Sequence, residues 1–165
     1  MYTICLVEDE VSLSNLIKTY LEKEGYNVVQ IFKGKDAIDY IGNVAHLWIL
    51  DIMLTDDITG YDIIKEIRKK DELIPVIFTS ARDKDIDKII GLEMGSDDYI
   101  AKPYSTKELI LRVNKLINRV YKDKDATKEV LYESYIVDLN RRLAKENDIE
   151  IKLTTLEFDL LLLFL

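Results

Sequence analysis

The sequence predicts an α/β domain built on a five-stranded parallel sheet with helices on both faces. Short apolar runs alternate with segments in which apolar residues recur every third or fourth position. Such strand-then-helix repeats are typical of parallel sheets joined by right-handed crossovers. Ligands of these sheets bind beyond the carboxyl ends of the strands. The residues that follow each apolar run are therefore the first candidates for function.

Each predicted strand precedes a predicted helix. The strand runs are Ile4 to Val7, Val28 to Phe32, Leu47 to Leu50, Val76 to Thr79 and Tyr99 to Ala101. The helical stripes are Leu13-Ile17-Leu21 with Leu16 and Tyr20 beside them, Ala37-Ile38-Ile41, Ile63-Ile64-Ile67, Ile86-Ile89-Ile90-Met94 and Leu109-Val113-Leu116-Val120. Gly25 is expected to end the first helix, because glycine readily adopts the left-handed conformation found there.

The chain changes character after residue 121. Residues 122–128 are charged and lack an apolar period, which predicts a linker between a domain at 1–121 and a second unit at 129–165. Strand candidates at 130–132, 135–138, 142–144 and 149–151 precede a helix start, where Thr154 and Glu157 have capping-box spacing. No apolar partner elements follow that helix, so the second unit is expected to be incomplete.

Composition argues against several classes of protein. The 31 acidic and 23 basic residues give a net charge of -8, which disfavours non-specific attraction to nucleic acid or anionic membranes. The single cysteine, Cys5, allows no disulfide framework and fits a reducing, cytoplasmic location. No segment has the pattern of a signal peptide or a membrane span.

Chemically useful side chains follow four of the predicted strands. Glu8 and Asp9 follow the first run, Asp51 the third, Ser80 the fourth and Lys102 the fifth. If the strands are neighbours, these groups meet at one edge of the sheet. Carboxylates are ligands that Mg²⁺ prefers, and a carboxylate beside a metal is a competent nucleophile towards phosphorus. We expect Asp51 to be that nucleophile, with Lys102 and Ser80 offsetting the phosphoryl charge.

Polar residues also occur at strand ends without any function, but five together are harder to dismiss than one. Thr79 lies within a buried run, where its side chain is expected to pack or to bond to the backbone. Ser80 is therefore favoured as the hydroxyl of the site.

These residues belong to longer motifs, which are Val7-Glu8-Asp9-Glu10, Asp51-Ile52-Met53-Leu54, Ser80-Ala81-Arg82-Asp83, the Gly91 to Tyr99 segment and Lys102-Pro103-Tyr104. In this order they resemble the receiver domain of two-component response regulators, over about residues 2–121. Residues 129–165 resemble the opening of the winged-helix effector of the OmpR/PhoB subfamily. The resemblance implies a flavodoxin-like receiver that accepts phosphate from a sensor histidine kinase and, in its full-length form, regulates transcription at promoter DNA.

The resemblance also implies roles for individual residues. Asp51 would be phosphorylated, Met53 would offer its backbone carbonyl to Mg²⁺, and Tyr99 would turn inward when Ser80 moves towards the phosphate. Activated receivers of this subfamily form homodimers through the fourth helix, fifth strand and fifth helix. The matching charged positions are Lys88, Glu93, Asp97, Asp98, Glu108, Arg112 and Arg119. Charges of both signs suit a two-fold symmetric pairing.

The loop after Asp51 departs from the family pattern. Thr55 stands where the family usually has proline, and Gly60 comes one position later than the usual glycine. One residue is therefore expected to be inserted around Asp56-Asp57, beside the metal site.

Two other functions remain open from the sequence. A standalone receiver would relay phosphate or bind a kinase without acting on DNA, and a stop codon after Leu165 would favour it. A flavodoxin-like hydrolase or isomerase would use the acids for general catalysis, but the lone His46 precedes the third strand, away from the pocket. A receiver, in contrast, catalyses only its own phosphorylation and dephosphorylation.

Overall fold

The computed structural model describes residues 1–55, 57–81, 93–122, 129–132, 134–139, 142–147 and 149–163. Asp56, Lys88 and residues 123–128 of the expected linker lie outside this set. The fourth predicted helix also lies outside it up to residue 92.

A five-stranded sheet in the order β2-β1-β3-β4-β5 organises the first part of the described chain. All four neighbouring pairs are parallel, which confirms the predicted α/β fold. The strands are β1 (Thr3–Val7), β2 (Asn27–Ile31), β3 (Leu47–Asp51), β4 (Val76–Ser80) and β5 (Asp98–Ala101). The central strands β1, β3 and β4 are buried along their whole length, as expected for a sheet covered on both faces.

Four helices of the described residues connect these strands or follow them. They are α1 (Val11–Lys23), α2 (Gly34–Tyr40), α3 (Gly60–Lys70) and α4 (Thr106–Ile117), and α4 continues into a π-helical turn at Asn118–Lys122. Helix α4 is the fifth helix of the sequence prediction. Thr59 caps α3 in a reciprocal pair with Asp62, and Ser105 caps α4. Gly25 follows α1 with φ +87°, as its predicted role requires.

The sheet separates two apolar clusters. Residues of α1 and α4, including Ile17, Leu21 and Val113, pack on one face, while those of α3, including Ile63 and Ile64, pack on the other. Leu16 and Tyr20, which the sequence placed beside the apolar stripe of α1, are 47% and 42% exposed. Both lie beside the stripe, on the part of α1 that faces solvent.

The second part of the chain forms a small antiparallel sheet followed by a helix. Its strands are β6 (Glu129–Tyr132), β7 (Tyr135–Asp138), β8 (Leu143–Glu146) and β9 (Ile149–Ile151), in that order across the sheet, and α5 is Thr155–Leu161. The third strand had been expected at 142–144, but Arg142 has φ +52°. Because that conformation is not compatible with an extended strand, β8 begins one residue later, at Leu143, and continues to Glu146.

The start of α3 lies against the end of β3, so Gly60 cannot be replaced without movement. A Cβ at Gly60 would lie 2.6 Å from the Asp51 carbonyl oxygen and 3.0 Å from Ile52 Cα. We expect Gly60→Ala to lower the free energy of unfolding by about 1–3 kcal/mol through overpacking. Chemical denaturation measures this. Gly25→Asn is the control, since a Cβ at Gly25 meets open space and asparagine tolerates positive φ. Equal stability of Gly60→Ala and the wild type would contradict the close approach.

Candidate functional site

Parallel strand ends bring three carboxylates together. Asp51 ends β3, and Glu8 and Asp9 directly follow the neighbouring β1. Carboxylate oxygens of the three residues lie within 4.8 Å of one another. Glu8 and Asp51 are 1% and 4% exposed, so two of the three charges are withdrawn from water. Groups this close and this buried need a compensating cation.

Lys102 supplies a compensating charge. Its Nζ donates to Glu8 Oε2 at 2.7 Å and to Asp51 Oδ2 at 2.6 Å. Lys102 follows β5, and its backbone N–H donates to the Ser80 carbonyl at 2.6 Å, which fixes the strand end beside β4. The structure therefore brings Lys102, Glu8 and Asp51 into one hydrogen-bonded group across three strands.

The charges in this group act on one another. Burial raises the pKa of Glu8, as does the negative charge of Asp51, while the Lys102 ammonium opposes both effects. Burial alone would lower the pKa of Lys102, but its hydrogen bonds to Asp51 and Glu8 raise it above the ordinary lysine value. Lys102 therefore remains a cation at physiological pH.

The donor set suits a hard divalent cation. Three carboxylates at the mouth of the site match the oxygen ligands that Mg²⁺ takes, with room in its shell for water and phosphate oxygens. The Met53 N–H donates to Asp51 Oδ1 at 2.9 Å, so the start of the following loop turns back over the carboxylate. This turn keeps the backbone of Met53, another predicted ligand, next to Asp51.

Ser80 and Tyr99 share one face of the sheet. Phe78 pairs in register with Tyr99, and Ser80 is the next residue of β4 on that side. Tyr99 packs at the edge of the α3-side cluster, and Ser80 is fully buried. Thr79 instead lies opposite Asp51 in register. The predicted switch pair is thus on a single face, next to the carboxyl ends of β3 and β4.

Tyr104 was included in the sequence analysis only as part of a motif, yet its hydroxyl is close enough to the charged groups of the site to be affected by them. This hydroxyl is buried and makes no hydrogen bond to any described residue. Burial raises the pKa of Tyr104 to about 12, with Lys102 lowering the pKa and Glu8 raising it. Thr79 also lies close enough to lower this pKa, but the two hydroxyls do not have hydrogen-bond geometry. The signal available in the sequence was a tyrosine directly after Lys102-Pro103.

The predicted dimer face contains an internal ion-pair group. Arg112 NH1 contacts both carboxylate oxygens of Asp98 at 2.9 Å, and Arg112 NH2 donates to Glu108 at 2.7 Å. Asp98 and Arg112 are partly exposed, with side chains 26% and 37% accessible. Glu93 is exposed as well. These charged side chains are therefore at least partly in contact with solvent.

Asp97 and Arg119, which had been grouped with that face, are placed differently. The Asp97 side chain is only 6% exposed, and Arg119 NH2 donates to Asp97 Oδ1 at 2.8 Å. Arg68, which sequence reasoning missed, lies 3.5 Å from Asp97 and also donates to the carbonyls of Gly95 and Ile74. Burial raises the pKa of Asp97, while the Val76 N–H and the guanidinium of Arg119 oppose the rise. Asp97 is thus a buried acceptor and not a surface charge.

Comparison with known proteins agrees with this geometry. The family model of the response regulator receiver domain matches residues 4–114. The chain belongs to the response regulator family. Transcriptional regulatory protein CssR of Bacillus subtilis is 52% identical to it over 167 residues, covering 99% of this chain and 74% of CssR. Response regulator SaeR of Staphylococcus aureus is 35% identical over 162 residues, covering 98% of this chain and 71% of SaeR.

Solved structures show the same receiver fold. The receiver domain of the Francisella response regulator 1452 has a TM-score of 0.68 at 37% identity, and the match covers 72% of this chain and 98% of that one. The OmpR/PhoB homologue DrrB of Thermotoga maritima has a TM-score of 0.66 at 25% identity, covering 99% of this chain and 71% of DrrB. No helix among the described residues of this response regulator is long and apolar enough to cross a membrane.

We expect Lys102→Met to destabilise the receiver strongly when no metal is present. Removing one partner of a buried ion pair costs about 3–5 kcal/mol, because the other charges are left uncompensated. The pKa of Glu8 is already raised by burial, and it should rise further in the variant. A raised folded-state pKa gives stability that is present at low pH and lost as pH rises. The difference in unfolding free energy between the wild type and Lys102→Met should therefore become smaller as the pH falls from 8 to 5.

Urea denaturation at several pH values measures this effect. Lys18→Met is the control, since Lys18 forms an exposed pair with Glu22 on α1. If the loss of unfolding free energy in Lys102→Met does not depend on pH, Lys102 stabilises the receiver by packing alone.

Proposed function

We propose that Asp51 is the phosphoacceptor of this response regulator and that a sensor histidine kinase is the donor. The observation that supports this most is the bridge from Lys102 Nζ to Asp51 and Glu8, at 2.6 and 2.7 Å. An ammonium in this position offsets the negative charge that develops during phosphoryl transfer. Asp51 Oδ1 accepts from the Met53 N–H, so the carboxylate is held in a fixed orientation.

We further propose that Glu8, Asp9, Asp51 and the Met53 carbonyl hold Mg²⁺. When bound, the metal would neutralise charge between the carboxylates and the incoming phosphate. Ser80 would donate to a phosphoryl oxygen, and Tyr99 would follow its movement because both lie on one face of the sheet. Apart from its own phosphorylation and dephosphorylation, the receiver is not proposed to catalyse a reaction.

The output we propose is transcription control through DNA at a promoter. The chain consists of a receiver at 1–121, a linker at 122–128 and, at 129–165, part of a winged-helix DNA-binding domain. The four-stranded antiparallel sheet and α5 support the last assignment, as does the match to CssR, which is named a transcriptional regulatory protein. A cytoplasmic location follows from a role between a kinase and DNA. The standalone-receiver alternative gives this second sheet no role.

A general acid–base enzyme is a poorer fit to the site. His46 immediately precedes β3, at the opposite end from Asp51, and its Nδ1 accepts the Thr3 N–H at 3.0 Å. Its ring also packs against Tyr2 and Tyr121. The histidine therefore belongs to the amino end of the sheet, as its sequence position had indicated, and cannot reach the carboxylates.

Asp51→Asn should take up no phosphoryl group while remaining folded. The amide has nearly the shape of the carboxylate but lacks the nucleophilic oxygen. Intact-protein mass spectrometry after treatment with Mg²⁺ and acetyl phosphate measures the adduct, and EDTA should abolish it in the wild type. Asp57→Asn is the matched control, since Asp57 is an exposed acid of the adjoining loop. An adduct on Asp51→Asn equal to that of the wild type would refute the assignment.

The activated receiver should form a two-fold dimer through the face that carries Asp98, Glu108 and Arg112. We expect Arg112→Ala to weaken phosphorylation-dependent dimerisation about tenfold, because charged hydrogen bonds are worth about 1.5–3 kcal/mol. Sedimentation of the beryllofluoride-activated protein measures the dissociation constant. Lys115→Ala removes an equal charge from an exposed position of the same helix and serves as control. Equal weakening by both substitutions would indicate a general charge effect.

A further inference from the structure

Among the described residues, the Tyr104 hydroxyl is buried and has no hydrogen-bond partner. It loses its hydrogen bonds to water on folding and gains none in return, which lowers the stability of the folded chain. Most buried polar groups in proteins are paired, so an unpaired one next to a reactive pocket calls for an explanation. We call the form in which Lys102 bridges Glu8 and Asp51 the resting arrangement.

The ring of Tyr104 is fixed at the start of α4. Tyr104 directly precedes Ser105, the N-cap of α4, and packs against the apolar cluster that includes Leu109. Tyr104 and Leu109 have the spacing of a hydrophobic staple, in which the residue before the cap packs against the fourth helical residue. The hydroxyl therefore cannot turn to solvent unless the ring leaves this cluster.

The register of the sheet places Tyr104 on the same face as the proposed phosphoacceptor. Thr79 pairs with Asp51 on one side and with Ile100 on the other, and side chains paired in this way point to one face. Ile100 belongs to the cluster on which Tyr104 packs. Asp51, Thr79 and Tyr104 are therefore all on the side of the sheet that α1 and α4 cover.

The Tyr104 hydroxyl can both donate and accept a hydrogen bond. Burial raises the pKa of Tyr104 to about 12, with Lys102 lowering the pKa and Glu8 raising it, so the hydroxyl keeps its proton at physiological pH. Thr79 is close enough to lower the same pKa but is not aligned for a hydrogen bond. A donor, the Lys102 ammonium, and an acceptor, Thr79 Oγ1, are thus close to Tyr104, and a local rearrangement is enough to pair it.

Loading of the pocket supplies a reason for that rearrangement. In the resting arrangement, Lys102 Nζ donates to Glu8 Oε2 at 2.7 Å and to Asp51 Oδ2 at 2.6 Å. In the proposed function, both carboxylates also bind Mg²⁺, and Asp51 carries the phosphoryl group. Lys102 then gives up at least one of these bonds and turns towards the phosphoryl oxygens. An ammonium has three N–H donors, so one of them can turn to the Tyr104 oxygen.

We propose that Tyr104 is a positioning residue whose hydroxyl is unpaired in the resting arrangement and becomes hydrogen-bonded when the pocket holds Mg²⁺ and a phosphoryl group. Its oxygen then accepts from Lys102, and its O–H donates to Thr79 Oγ1. The inference rests on the proposed function of Asp51. A contact made in only one state shifts the equilibrium towards that state. Tyr104 thus favours the loaded receiver, because it disfavours the resting arrangement and orients Lys102 in the loaded one.

Tyr104→Phe in the full chain tests the proposal, because phenylalanine keeps the ring and removes only the hydroxyl. Urea denaturation without Mg²⁺ measures the stability of the resting arrangement. Fluorine NMR titration with beryllofluoride at saturating Mg²⁺ measures the affinity of the pocket for a phosphoryl analogue. One hydrogen bond corresponds to about a fivefold change in an equilibrium constant. We expect the unfolding constant to fall and the beryllofluoride dissociation constant to rise, each by roughly this factor.

Tyr26→Phe is the matched control, since the buried Tyr26 hydroxyl donates to Asn114 and Tyr26 lies at the amino end of the sheet, before β2. This substitution should make the resting receiver less stable and leave the beryllofluoride dissociation constant unchanged. Thr79→Val removes the proposed acceptor. Combining Thr79→Val with Tyr104→Phe should therefore weaken beryllofluoride binding by less than the product of the two single effects.

The proposal requires both shifts in Tyr104→Phe, in opposite directions. If the affinity for beryllofluoride does not change, or if stability and affinity fall together, the hydroxyl has a structural role only. The inference then fails while phosphorylation on Asp51 stands. If the resting receiver does not become more stable, the hydroxyl is already paired there, which also overturns the inference. If the wild type takes no beryllofluoride, the proposed function is refuted and the inference with it.

Discussion

The bridge of Lys102 to Glu8 and Asp51 is the interaction on which the site depends. Two carboxylates at 1% and 4% exposure would repel each other and favour protonation without a cation between them. The Lys102 ammonium lies within hydrogen-bond distance of both and offsets their charge, in an arrangement whose oxygens suit a metal ion. The same bridge joins the ends of three strands, so the charge balance of the pocket and the position of β5 depend on one ammonium group.

Strand β5 connects two charged groups at opposite ends of the receiver sheet. Its carboxyl end leads to Lys102 and the acidic pocket, and its amino end follows Asp97 and the contact with α5. An edge strand has a neighbour on one side only, so it moves at lower cost than the buried strands β1, β3 and β4. The receiver thus has a charged contact at each end of an edge strand, with Asp97 before it and Lys102 after it.

The sequence was sufficient to predict the features that depend on apolar periodicity and on the residues that follow each strand. Apolar runs predicted the parallel sheet, and the acids after them predicted the cluster of Glu8, Asp9 and Asp51. Contacts between distant segments could not be predicted in this way. Nothing local distinguishes Asp97, which is buried and bound by Arg119, from the neighbouring Asp98, which remains partly exposed. The exposure of Leu16 and Tyr20 also depends on where α4 packs, and that position cannot be predicted from the sequence of α1.

The altered loop after Asp51 illustrates how a sequence departure can leave a site in place. The loop is held at both ends by the backbone: the Met53 N–H bonds to Asp51 Oδ1, and the Gly60 N–H bonds to the Ile52 carbonyl at 3.2 Å. The reciprocal cap between Thr59 and Asp62 then fixes where α3 begins. Gly60 also packs against the Asp51 carbonyl, and the insertion expected from the sequence falls between these fixed ends. Asp51, the proposed nucleophile, is thus oriented by contacts that lie outside the segment where the insertion is expected.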